Sequence, residues 1–217
     1  TSFNPDGGYT GFDFSIDVDQ EFPEGFSQYN PKLKVAAIYN YATVASPSIC
    51  VDPEPRSTKI RDKACTFTDS ISPGPTGGPV SVSRIDQDVT RDDILFKIYV
   101  QNVGSGRVIK PQLSKGGDAI NNDPFIDGFS FQDLDRVRIK SIQLGNQVLV
   151  TSACRPNIDD HVRLIDGKGI IFCQVDKGTV GIDSAFQTPL NIKLEYTYQE
   201  SIETQLEITE AIEFKTT

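Results

Sequence analysis

The sequence predicts an all-β fold made of two β-sandwich domains, the first of them short of strands. Three observations predict it. Apolar residues alternate with a period of two through most of the chain, two-residue hairpin signals separate several of those runs, and a Pro/Gly-rich stretch at 72–79 divides a strand-poor region from a strand-rich one. Helical periodicity is scarce.

The first alternating run puts Phe12, Phe14, Ile16 and Val18 on one face, opposite Asp13, Ser15, Asp17 and Asp19. The second aligns Leu33, Val35, Ala37, Tyr39 and Tyr41. Runs at 80–85 and 94–100 follow, with Phe96, Ile98 and Val100 directed inward. Gly145-Asn146, between runs 137–144 and 148–151, is a type II′ hairpin signal. Asp166-Gly167, between 162–165 and 168–174, is the type I′ signature. Leu190, Ile192, Leu194, Tyr196 and Tyr198 then alternate without interruption. Seven or eight runs follow residue 78, enough for a complete Ig-like sandwich.

Only two convincing strands and one or two weaker ones precede residue 79. A sandwich of three or four strands leaves its apolar face and edges bare. The expected division is therefore an incomplete Ig-like domain over 1–78, a complete one over 79–209, and an extension over 210–217. A donated strand should complete the first domain. The tail supplies a candidate, because alternation continues through Ile202, Leu206, Ile208, Ile212 and Phe214, far beyond the usual five or six residues. Ile208, Ile212 and Phe214 are the candidate donor contacts; the alternative donor is 1–18. Leu33, Val35, Ala37 and Tyr39 are the candidate acceptor positions.

Bulk composition narrows the partners. The net charge of −9 argues against nucleic acid, whose phosphates need clustered Lys and Arg. No run of 18 apolar residues could span a bilayer. The absence of Met from the chain points either to a removed leader or to a fragment of something longer. Cysteines at 50, 65, 154 and 173 form two local pairs without any CxxC. Disulfides Cys50–Cys65 and Cys154–Cys173 are the economical reading, and they imply an oxidising compartment.

Sequence motifs offer little chemistry. Gly104-Ser105-Gly106 lacks the third glycine of a dinucleotide loop and the Gly-Lys-Ser/Thr end of a P-loop, so it reads as a turn between strands. His161 is the only histidine and reads as an exposed loop residue; a triad of Ser152, His161 and Asp160 has no support from spacing. Carboxylates gather at Asp86, Asp88, Asp92 and Asp93, and again at Asp123, Asp127, Asp133 and Asp135. The second group is the candidate calcium site, although no DxDxDG spacing occurs. No other cofactor is expected. Phe125, Phe129 and Phe131 form the one aromatic cluster that could serve as a binding platform, and there is no N-glycosylation sequon.

The segment FKIYVQNVGSGRV at 96–108 resembles the strand-and-turn signature of adhesion-type Ig-like modules in archaeal cell-surface proteins. Ala45-Ser-Pro-Ser-Ile-Cys-Val-Asp-Pro-Glu-Pro55, Gly78-Pro-Val-Ser-Val82 and Thr188-Pro-Leu-Asn-Ile-Lys-Leu-Glu-Tyr-Thr-Tyr198 resemble blocks of uncharacterised secreted archaeal proteins. More loosely, the chain is similar to archaeal filament subunits that complete one another by strand donation. The resemblance covers most of 4–208 and carries no catalytic motif. It implies a non-enzymatic, extracellular subunit of a surface assembly, a filament or pilus, whose partners are identical subunits and other cell-surface components. The alternative it implies is an adhesin or glycan-binding module.

Overall fold

The computed structural model describes residues 11–15, 17, 22, 25–57, 63–111, 129–149, 153–156, 160–180 and 184–209. The fold is all-β in antiparallel sheets, with one short helical turn at Lys177–Val180. Two compact units divide the chain: Val35–Ile202, and Thr1–Lys34 together with Glu203–Thr217. The expected boundary at 78/79 lies elsewhere than this division. Strands before residue 79 belong to the same sheets as strands after it, a pairing that local strand counting cannot reveal.

In the smaller unit, β1 (Gln28–Tyr29) pairs with β14 (Ile208–Thr209), Gln28 opposite Thr209. The Leu206 N–H donates to the Pro31 carbonyl, and Lys34 lies 3.7 Å from Glu203. Phe12 and Phe14 are exposed and lie outside any strand, so the first expected run does not form one among the described residues. Alternation makes a strand possible, but a ladder partner must be present to fix it.

The larger unit has two sheets. One contains β4 (Ser70–Ile71), β5 (Val80–Val89), β6 (Asp93–Asn102), β12 (Lys168–Asp176) and β10 (Cys154–Arg155), in the order β10-β12-β6-β5-β4. The other is centred on β13 (Phe186–Gln205), a strand of 20 residues. On one side β13 pairs with β8 (Arg136–Leu144) and then β7 (Arg107–Ile109). On its other side lie β2 (Lys32–Ala45) and β3 (Ser48–Val51). The Leu190 N–H donates to the Pro47 carbonyl, which carries the ladder across the Ser46-Pro47 break. Outside β8 lies β11 (His161–Arg163), and β9 (Gln147–Val148) closes a hairpin on β8.

Inward residues of both sheets form one buried cluster, including Val82, Ile85, Phe96 and Ile98 from the first and Ile142, Leu190, Ile192 and Leu194 from the second. Burial of β13 alternates from Thr188 to Tyr196 in the expected phase, after which Thr197 and Tyr198 are both buried. Each such side chain contributes about 1.5–3 kcal/mol of transfer free energy.

One turn was legible while its pairing was not. Asp166 and Gly167 both have positive φ, 50° and 73°, as a type I′ turn requires. Yet β11 pairs with β8 and β12 with β6, leaving a single bridge, Ile165–Lys168. The turn carries the chain from one sheet to the other. Gly169 sits close against Val162 and Leu164, where the two strands diverge into the core.

Candidate functional site

Four tyrosines, in the paired patterns Tyr39-x-Tyr41 and Tyr196-x-Tyr198, occupy neighbouring strands of the β13 sheet. The Tyr41 and Tyr196 rings stack at 5.8 Å, and Tyr39 packs at 6.0 Å from both Tyr41 and Tyr198. Their hydroxyls tie this sheet to the opposite one. Thr43 Oγ1 donates to the Val80 carbonyl at 2.7 Å, and the Val80 N–H donates to Tyr196 Oη at 3.1 Å. Tyr196 Oη is 3.0 Å from Thr43 Oγ1. Because the Thr43 proton is already committed, the Tyr196 hydroxyl is the donor in that contact. Burial first, with the neighbouring tyrosines adding to it, raises the Tyr196 pKa against the opposing bonds from Thr43 and Val80.

The Gly104-Ser105-Gly106 loop is fixed by the same cluster. The Gly106 N–H donates to Tyr198 Oη at 2.6 Å. A Cβ on Gly104 would lie 2.2 Å from Tyr198 Oη, and one on Gly106 would lie 2.4 Å from the Gln199 carbonyl oxygen. These glycines permit a tyrosine to approach the backbone closely. Asn102 Oδ1 accepts the Gly104 N–H, and its amide donates to the Gly106 carbonyl. The Gly104 and Gly106 amides are thus used internally, and the turn reading follows from contacts rather than from motif logic alone.

Beyond the tyrosines, β2 is the terminal strand of its sheet, and among the described residues no strand pairs with its outer edge. Its inner row is well covered at Ala45 (3% exposed) and Thr43 (1%) but opens to 36% at Tyr39. Val35 is half-buried and Ala37 exposed; Leu33, in the smaller unit, is half-buried. Tyr39 has its pKa pushed up to about 12, by burial first and then by the charge and hydrogen bond of Glu200. The candidate acceptor positions therefore share one strand whose cover thins toward its N-terminal half.

Of the candidate donor residues, Ile208 lies in β14 opposite Tyr29 of the same chain. Ile212 and Phe214, with all of 210–217, lie outside the described residues, as does most of 1–18. Disulfides link Cys50 to Cys65 and Cys154 to Cys173. The first loop has further ties. Gln87 Nε2 donates to the Cys50 and Thr68 carbonyls, and Lys63 Nζ lies 2.5 Å from buried Asp52. Two disulfides, and no helix among the described residues long and apolar enough to cross a membrane, are compatible with an extracellular protein.

His161 is not an exposed loop residue: it is 8% exposed, in β11 opposite Arg138. Ser152 lies outside the described residues; Asp160 has a φ of 53° just before the strand. Asp133 and Asp135 lie in the turn leading to β8. The Asp133 carbonyl accepts the Lys110 N–H, and Asp135 takes a φ of 57°. Asp123 and Asp127 lie outside the described residues, and no three potential metal ligands converge among those described. In the other acidic group, slight burial raises the Asp86 pKa, but Ser70, Tyr99, Arg84 and Lys97 outweigh it and lower the net value. Of the aromatic platform, Phe129 is half-buried and Phe131 exposed, while Phe125 lies outside the described residues.

Sequence reasoning missed Thr43 and the tyrosines as a joint structure. The repeated Tyr-x-Tyr pattern was the available signal, but nothing local said that residues 39–43 would meet 196–198. Compared with family models, curated proteins and solved structures, the chain matches none of them.

Proposed function

We propose that this chain is a non-enzymatic structural subunit of an extracellular surface assembly of the archaeal type its sequence resembles. In this reading, filaments form when one copy lends a strand to the outer edge of β2 in another. The carrying observation is that edge, which no strand among the described residues pairs with and where the inner row of β2 loses cover over Val35, Ala37 and Tyr39. Unpaired edges of this kind template the addition of further strands. Main-chain ladder bonds supply affinity, and alternate side chains entering the uncovered row supply register. The donor is the segment 210–217, whose Ile212 and Phe214 fall two residues apart. In this reading the architecture is Ig-like, and the shortfall of strands in its N-terminal part is felt at the bare side of β2.

The test is deletion of 210–217, followed by negative-stain imaging and a far-ultraviolet spectrum. The larger unit should stay folded while polymers disappear, and a synthetic peptide of 210–217 in excess should shorten wild-type polymers. Unchanged polymers after the deletion would rule the tail out as donor.

A further inference from the structure

On the outward face of the β13 sheet, away from the core, the larger unit collects cations. Arg136, Arg138 and Lys140 alternate with buried Val137 and Ile139 along β8. In β11, Arg163 stands directly opposite Arg136. On the other side, Lys193 and Glu195 follow the same outward phase in β13, with Glu195 opposite Arg138.

Glu195 is shared three ways, 4.0 Å from Arg138, 3.9 Å from Lys140 and 3.9 Å from Lys193. Among the described residues it is the one carboxylate in ion-pair contact with this group, three of whose five cationic side chains share it. The Arg136 Nε–H is buried without an acceptor. The Arg163 guanidinium lies over the Phe131 ring at 5.1 Å, and that ring is 72% exposed. All of this occurs in a chain with a net charge of −9.

We infer that this face binds an acidic polysaccharide, a polymer bearing carboxylate or sulfate groups. Charge complementarity selects an anionic partner. Cations two residues apart on a strand lie about 6.7 Å from one another, so the row suits an extended polymer with repeated charges better than one small anion. Protein interfaces are depleted in lysine, and here Lys140 and Lys193 flank the central Glu195. The chain's net charge of −9 repels any polyanion in proportion to its charge density, so it opposes nucleic acid, with its dense phosphates, more than a polysaccharide carrying about one charge per sugar. The Phe131–Arg163 pair adds a flat apolar surface at the end of the row, suited to a sugar ring. This site is separate from the β2 edge and does not depend on strand donation.

The test passes intact protein over immobilised polygalacturonate, neutral dextran, a plain sulfonate resin and single-stranded DNA. At about 50 mM salt the polygalacturonate column should retain the protein and dextran should not, with release by about 200 mM as counterions compete. The triple variant R138Q/K140Q/K193Q should lose that retention with its thermal midpoint nearly unchanged. Phe131→Ala should weaken retention on polygalacturonate but not on the sulfonate resin. Failure of the wild-type protein to bind polygalacturonate, or equal retention of the triple variant, overturns the inference. Equal retention on DNA with no effect of Phe131→Ala overturns the polysaccharide assignment. So does wild-type self-association that the triple variant abolishes, which would assign the face to a second copy.

Discussion

Tyr198 Oη accepts the Gly106 N–H at 2.6 Å, across 92 residues of sequence. The tyrosine hydroxyl fills the space where a side chain at 104 would stand, and the Gln199 carbonyl with the Tyr198 ring fills the space at 106. Gly106→Ala would place a methyl 2.4 Å from the Gln199 carbonyl, a backbone atom with little freedom to retreat. It should lower stability by about 1–3 kcal/mol, as overpacking does, read as a fall in the urea midpoint. The cost of Gly104→Ala should shrink in a Tyr198→Phe background, because the obstructing atom is the hydroxyl itself. Additive losses in that double-mutant cycle would contradict this account.

Tyr196→Phe removes the hydroxyl shared between Thr43 and the Val80 N–H. Leaving buried polar groups unpaired costs about 1–3 kcal/mol. Thr43→Val should cost a similar amount, and the double variant less than the total of the two, since both disrupt one network. Chemical denaturation of the four proteins measures the coupling.

Tyr39 should ionise at about 12, against an ordinary value of 10.0, because of burial and the neighbouring Glu200 carboxylate. The folded state holds its proton more tightly than the unfolded state. Its contribution to stability is thus fully present below about pH 10 and is lost as pH rises through about 12. Ultraviolet titration of phenolate absorbance should show late-titrating tyrosines, and the step assigned to Tyr39 by its loss in Tyr39→Phe should move to lower pH in Glu200→Gln. No movement in that variant would remove Glu200 as a cause.

Removing either disulfide should cost about 3 kcal/mol on the loop-entropy estimate, since the bridges close loops of similar length. Paired Cys→Ala variants followed by urea denaturation test this.

The pairing Asn40–Thr197, with side-chain oxygens 2.7 Å apart, marks the limit of sequence reading. Both strands were legible, one from Leu33 to Tyr41 and the other from Leu190 to Tyr198. Their adjacency was not, and the strand count before residue 79 therefore looked like a separate, deficient domain. His161 was misplaced for a related reason: its neighbours resemble a loop, and only pairing with β8 buries it. The cationic face was equally hidden, since Arg163 and Lys193 come from strands on opposite sides of β8.

By itself the sequence determined the all-β class, the phase of the buried residues, the positive-φ turn at Asp166-Gly167 and the local cysteine pairs. Each depends on side-chain alternation, backbone conformational preference or short chain separation, which are properties of neighbouring residues. Only the tertiary structure decided which strands pair, which edge stays free, and where tyrosines and cations converge. Those outcomes depend on ladder bonds and packing between segments more than a hundred residues apart, and a two-residue period is the same whichever partner a strand finds.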